Sequence, residues 1–242
     1  MRITRNAIVN LVGPLLQIGV GLITIPMYLA AIGEVRYGVL AVAWILTGHF
    51  GLFELGMGRA TAYSIARSQT SEATVREEIL STALFLSGML GAIGSLVFIV
   101  VVYYAYGVVF TVGNVIESEV IPALTWIALT IPIATLSSVG RGVLQGLECF
   151  VALNILETTT VVLSQTAPLA AAWYVDAQLA NLVVANLAAR TVCLIVMFAI
   201  IRRKLPVRRV PVPSLVRARA LLAFGGWVSL SSAITPLLTP LD

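Results

Sequence analysis

"GLFELGMGRATAYSIA", residues 51–66, places a carboxylate, Glu54, and a guanidinium, Arg59, five residues apart among glycines, in a stretch otherwise apolar enough for lipid. The flanking chain has the same character in both directions. Its 242 residues are 59% hydrophobic and 11% charged, with a mean hydropathy of +1.00. An ordinary soluble domain is about 25% charged, and so few charges cannot cover a water-facing surface. Apolar runs of about 20 residues recur along the whole length, each long enough to cross a bilayer. The expected fold class is an all-α integral membrane protein in a phospholipid bilayer.

Hydropathy outlines six spans, at 7–32, 38–62, 79–106, 121–147, 150–174 and 180–201, and a seventh that begins near Ala220 and still runs at Asp242. The N-terminal apolar run continues to Ile32, too long for the h-region of a signal peptide, so it reads as a retained span. Basic residues set the orientation. Arg2 and Arg5 precede span one, and Arg67 and Arg76 follow span two. Arg202, Arg203, Lys204, Arg208, Arg209, Arg217 and Arg219 follow span six. The 107–120 and 175–179 loops carry only acidic charges, and Arg36 alone runs against the pattern. The N-terminus is expected in the cytoplasm. Seven of the fifteen basic residues lie between 202 and 219. A basic loop between spans explains the net charge of +4 better than a nucleic-acid partner does.

Local signals mark the boundaries. "TVRE", Thr74–Glu77, has the form of a capping box opening span three. "RRKLPVRRVPVPS" contains Pro206, Pro211 and Pro213, which resist helix, so 202–219 reads as an extended cytoplasmic linker. It divides a six-helix unit, 1–201, from the start of a second unit, 220–242. Six spans bring a parallel repeat back to the same side, and the two span starts share small residues and a late proline, Pro26 and Pro240. A chain that stops inside a span is expected to be the first part of a longer protein. Cys149 and Cys193 show no pairing or metal spacing, His49 cannot complete a metal site with them, and no cofactor is expected.

The apolar spans are not apolar all round. Span one carries Asn6, Asn10, Gly13, Gln17, Gly21, Thr24 and Tyr28 at steps of three and four, a single helical face. Span two repeats it with Thr47, Gly51, Glu54 and Gly58. Span four offers Thr125, Pro132, Thr135, Ser138, Gly142 and Gln145, with Arg141 beside them. Span five gives Asn154, Glu157, Thr158, Gln165 and Pro168, and span six sets Asn186 four residues before Arg190. Lipid cannot satisfy amides, so these faces must meet protein or water. Helix–helix hydrogen bonding accounts for part of them. A hydrated central pathway accounts for so many at once. Pro26, Pro132 and Pro168 lie inside spans, where each can kink its helix or merely be tolerated.

Depth separates the charges. At the helical rise, Arg59 lies roughly 5 Å, Arg141 and Glu157 roughly 10 Å, Glu54 roughly 12 Å and Arg190 roughly 16 Å from the inner span ends. Arg59 is shallow enough to snorkel to the headgroups. The deeper charges need a partner or water. Guanidinium groups hold phosphate oxygens bidentately. The candidate substrate-binding residues are therefore Arg59, Arg141, Arg190, Asn10, Gln17 and Gln145. Glu54 and Glu157 are candidates for coupling to a proton or sodium ion.

The opening, "RNAIVNLVGPLLQIGVGLITIPMYLAAIGEVRYGVLAVAWILTGHFGLFELGMGRA", resembles the start of polysaccharide transporters, flippases of lipid-linked oligosaccharides in the MATE-like exporter superfamily. Asn10 and Gln17, Pro26 and Tyr28, "IGEVRYG" (Ile32 to Gly38) and "GLFELGMGRA" (Gly51 to Ala60) carry the resemblance. "FGGWVSLSSAITPLLTPLD" resembles the start of that family's second lobe. Where family members often carry Asp, this chain has Glu54, which keeps the charge. The resemblance implies two six-helix lobes around a central cavity, alternating access, a bacterial inner-membrane location and a polyprenyl-pyrophosphate-linked oligosaccharide as cargo. This chain would be the N-terminal lobe. A multidrug or metabolite exporter of the same superfamily is the alternative, and an aromatic and acidic lining would favour it. A polysaccharide-processing enzyme would need positioned acid–base groups, usually in a substantial external loop, and the external loops here are short and lack His. A non-transporting scaffold leaves the polar faces without a purpose.

Overall fold

The computed structural model describes residues 2–49, 54–69, 73–109, 114–205 and 213–238. Among the described residues the chain is helical, with no strand: α1 (Arg2–His49), α2 (Met57–Arg67), α3 (Ala73–Val109), α4 (Asn114–Gly146), α5 (Phe150–Tyr174), α6 (Leu179–Lys204) and α7 (Leu215–Leu238).

α1 holds two spans. It breaks at Gly33, where φ is 78° and ψ 165°, a left-handed conformation that glycine adopts without penalty. The arms fold back on each other there. The rings of Tyr28 and Trp44 lie 5.5 Å apart, whereas sixteen residues of straight helix would separate them by roughly 24 Å. Arg36, just past the break, pairs with Glu119 through Nη2 at 2.7 Å and Nε at 3.0 Å. Glu119 Oε2 also accepts from the Leu179 backbone N–H at 3.4 Å. One clasp thus gathers the hairpin tip and the starts of α4 and α6 at one end of the bundle, the Gly33 end.

Span two is not one helix, contrary to its hydropathy. Residues 54–56 form a turn, and α2 starts afresh at Met57. Leu55 (φ 46°) and Gly56 (φ 63°) are both left-handed, a conformation that costs a non-glycine residue about 1–2 kcal/mol. Hydropathy registers composition and is blind to φ. A non-helical turn at membrane depth survives where protein or a cavity surrounds it. Here α7 covers it: a side chain at Gly56 would strike the Gly225 carbonyl, and one at Gly225 would strike that of Leu55.

α2 then runs beside the end of α4 through small residues. A methyl group on Gly142 would strike the Gly58 carbonyl, and one on Gly146 would meet Ala62 and Ile65. This is a small-xxx-small contact, which lets membrane helices approach closely. Gln69 Nε2 closes the end by donating to the Gly146 carbonyl at 3.0 Å. This is the α2 end of the bundle. α7 docks there on α2 and α3, with Phe224 stacked on Tyr63 at 4.7 Å and the Ser214 N–H donating to Thr82 Oγ1 at 3.1 Å.

Two apolar cores form, one at each end. Tyr28, Leu40, Val120, Ile127, Leu179 and Leu182 anchor the Gly33 end. Met57, Ile65, Val139, Leu144, Met197 and Ile201 anchor the α2 end. The outside is as apolar as the cores: Leu15, Ile18, Leu22, Leu96 and Ile195 are all at least 60% exposed. An apolar surface on that scale needs lipid against it. Tyr103, Tyr104, Trp173 and Tyr174 ring the Gly33 end, where interfacial aromatics belong.

By length and composition four segments among the described residues could cross a membrane: Leu15–Ala41, which includes the Gly33 break, Ala73–Tyr104, Glu119–Gly146 and Leu179–Lys204. This confirms a multi-pass membrane protein. α5 has the length, at 25 residues, but its polar face dilutes its hydropathy. Other boundaries shift modestly. α6 runs on to Lys204 and α7 begins at Leu215, so helix takes up both margins of the expected linker. Residues 206–212, with Pro206 and Pro211, and Pro240 lie outside the described residues. α3 begins at Ala73, placing Thr74 inside the first turn rather than at a cap.

Candidate substrate cavity

Between the two apolar cores, polar residues from four helices converge on a cavity of about 540 Å³. Its walls are both arms of α1, the 54–56 turn and the middles of α4, α5 and α6. Along α4 the apolar cores end at Ile131 and resume at Val139. Along α5 they stop at Leu156 and resume at Leu169. The intervening stretches supply Thr135, Ser137, Glu157, Thr160, Ser164 and Gln165 to the cavity, together with Arg141 from just beyond Val139.

Of the sequence candidates, the structure brings Gln17, Glu54, Arg141, Glu157 and Arg190 to this cavity. Arg59 and Gln145 are exposed and do not line it. Arg59 remains within electrostatic reach of Glu54. Gln145 lies one turn beyond Arg141, roughly 6 Å past the cavity. The side chains of Asn6, Asn10 and Thr47, and all of Gly51, lie outside the described residues.

Arg190 is held in place. Its Nε donates to Asn186 Oδ1 at 2.8 Å, and Asn186 Nδ2 donates to the Ser164 carbonyl at 2.8 Å. Asn186 is buried, so its amide fixes the guanidinium against α5, while among the described residues the two terminal nitrogens make no hydrogen bond. Arg141 lies within electrostatic reach of both Arg190 and Glu54. Among the described residues Arg141 makes no hydrogen bond or ion pair, and neither does Glu157. Glu54 is more committed. Its Oε1 accepts the Gly58 N–H at 3.1 Å, capping the start of α2, where a carboxylate also suits the helix dipole.

Toward the Gly33 end the lining changes from charged to amide and aromatic. Gln165 Oε1 accepts from Thr24 Oγ1 at 2.9 Å, and the Tyr28 hydroxyl donates to the Gln165 carbonyl at 2.5 Å. Trp44 lines the cavity beside them, an aromatic that polarity-based reading of the sequence passes over. Asn186 and Gln165 stood in the polar faces, and their spacing was the signal that could have picked them out as site residues. Metal chemistry finds no donor set here: among the described residues no three His, Cys, Asp or Glu side chains cluster.

A family model described as "Polysaccharide biosynthesis protein" matches residues 3–242. A putative O-antigen transporter from Shigella flexneri is 23% identical over 244 residues, covering 100% of this chain and 57% of the relative. The chain therefore spans little more than half the length of the curated relative it matches. Among solved structures, a MOP superfamily transporter from Pyrococcus furiosus superposes with a TM-score of 0.70 at 15% identity, over 94% of this chain and 52% of the other. At that identity the likeness speaks for the fold.

Proposed function

The chain belongs to the polysaccharide biosynthesis protein family, and from that premise we propose that it forms the N-terminal lobe of a MATE-like superfamily flippase for polyprenyl-pyrophosphate-linked oligosaccharides. Residues 1–201 are the lobe, the 202–219 segment is its cytoplasmic linker, and α7 opens the second lobe. The observation that carries this reading is the pair Arg141 and Arg190 in one cavity, the first making no hydrogen bond or ion pair among the described residues and the second oriented by Asn186. Planar guanidinium groups match the oxygens of a diphosphate, while Gln17 and Gln165 suit sugar hydroxyls. Exposed Arg202, Arg203 and Lys204 at the α2 end support a cytoplasmic placement of that end, in a bacterial inner membrane. The cavity opens to the two sides in turn. Glu157 is the better placed carboxylate for a coupling proton or sodium ion, because Glu54 already caps α2.

A deletion strain complemented with the intact protein carrying Arg141→Gln and Arg190→Gln tests the proposal. Surface polysaccharide is expected to be lost while the protein still reaches the membrane. Wild-type export from that variant would remove the arginines from cargo binding. Unchanged surface polysaccharide in the deletion strain, with altered drug susceptibility instead, would favour the multidrug exporter.

A further inference from the structure

The cavity is segregated along its length, and its uncharged end has unmet bonding capacity. Ser164 lines the cavity with its hydroxyl buried behind the wall, so the open bonding groups belong to its neighbours. Gln165, the next residue, has its Oε1 engaged by Thr24, which directs the amide nitrogen to donate elsewhere. Gln17, on the facing arm of α1, makes no hydrogen bond among the described residues.

Trp44 stands with them. Its ring is braced by Tyr28 at 5.5 Å and 76° and by Tyr37 at 6.5 Å and 82°. Tyr28 is in turn tied to the backbone of Gln165. The indole is thus rigidly mounted, half-buried and on the cavity wall. A rigid aromatic flanked by hydroxyl and amide groups presents an apolar surface with hydrogen-bonding groups at its rim. A pyranose ring has the complementary form, with C–H bonds on its face and hydroxyls around its edge.

We infer that Trp44 and Gln165, with Gln17 on the wall below them, form a saccharide subsite on the Gly33 side of the arginines, with Trp44 lying against the apolar face of one sugar ring. This rests on the flippase reading, in which the diphosphate takes the arginine end, and it adds that the lobe itself reads sugar. Sugar and diphosphate then bind at separate positions along one cavity, and the two can be dissected.

The test uses the purified intact protein in nanodiscs and two probes, undecaprenyl diphosphate and undecaprenyl diphosphate bearing N-acetylglucosamine. The reading is the ratio of the two affinities. Wild type is expected to prefer the sugar-bearing lipid by about tenfold, the value of one good aromatic contact. Trp44→Leu is expected to bring that ratio close to one, and Trp44→Phe to restore most of it. Arg141→Gln weakens both probes together and leaves the ratio standing. A wild-type ratio of one, or a tenfold ratio retained in Trp44→Leu, overturns the subsite but leaves the flippase reading intact. If Trp44→Leu binds neither probe, Trp44→Phe decides by the same ratio. Failure of wild type to bind either lipid would instead defeat the flippase reading.

Discussion

The carboxylate of Glu54 faces two ways: it lines the cavity and caps α2 through the Gly58 N–H. The capping role needs an acceptor oxygen and does not need a charge. Glu54→Gln is therefore expected to keep the thermal stability of the purified carrier, whereas Glu54→Ala loses about 0.5–2 kcal/mol. Equal losses in the two variants would show that the charge itself holds the turn. Asn186 is a different case, since it acts through its neighbour. Removing it frees the Arg190 guanidinium and leaves a buried carbonyl at Ser164 without its donor. Asn186→Ala and Arg190→Gln should each weaken undecaprenyl diphosphate binding about tenfold. The double variant should be little worse than either, because residues that work as one unit do not add. Fully additive losses would show that Asn186 does not position Arg190. Residue spacing made this pair visible, since four apart means one helical face. Trp44 was invisible to the same reasoning, because an aromatic in an apolar run reads equally as core, lipid contact or site.

At the scale of elements, the contacts that fix the bundle are close approaches between backbones. α2 meets α4 at Gly58 and Gly142, where an added methyl would collide with the Gly58 carbonyl and the Ala62 N–H. Gly142→Ala is expected to destabilise the carrier by about 1–3 kcal/mol, the usual cost of overpacking. Gly88 on α3 has open space where a Cβ would go, so Gly88→Ala should be neutral or stabilise by about 0.5–1 kcal/mol. Thermal unfolding of the two variants in detergent checks the contrast, and the reverse order would contradict this packing. Sequence patterning located α5 and α6 to within three residues and the starts of α3, α4 and α7 to within seven, because a span needs a length and a composition that both show in the letters. It missed the interruption at 54–56 for a physical reason. Gly56 announces a turn only weakly, and what stabilises it is the Gly225 backbone arriving from α7, a contact 169 positions along the chain.

For the whole molecule, the arrangement is a charged and hydrogen-bonding interior closed above and below by apolar cores and surrounded by a lipid-facing exterior. The polar faces of spans one, four, five and six foretold that interior; its volume and its division into a charged end and an aromatic end depend on how the helices meet. In the proposed two-lobe carrier the second lobe would complete the wall, and α7 is seated against the α2 turn. Everything proposed for cargo and coupling requires that this interior be wet. The most direct measurement is thiol accessibility in the intact carrier, with Cys149 and Cys193 first replaced by serine. Single cysteines are placed at Gln17, Glu157 and Arg190, with Leu96 on the lipid face as the control. Membrane-impermeant methanethiosulfonate is expected to label the three cavity positions and spare position 96. Protection of all three, at a rate no faster than position 96 on either side of the membrane, would contradict the existence of the aqueous cavity.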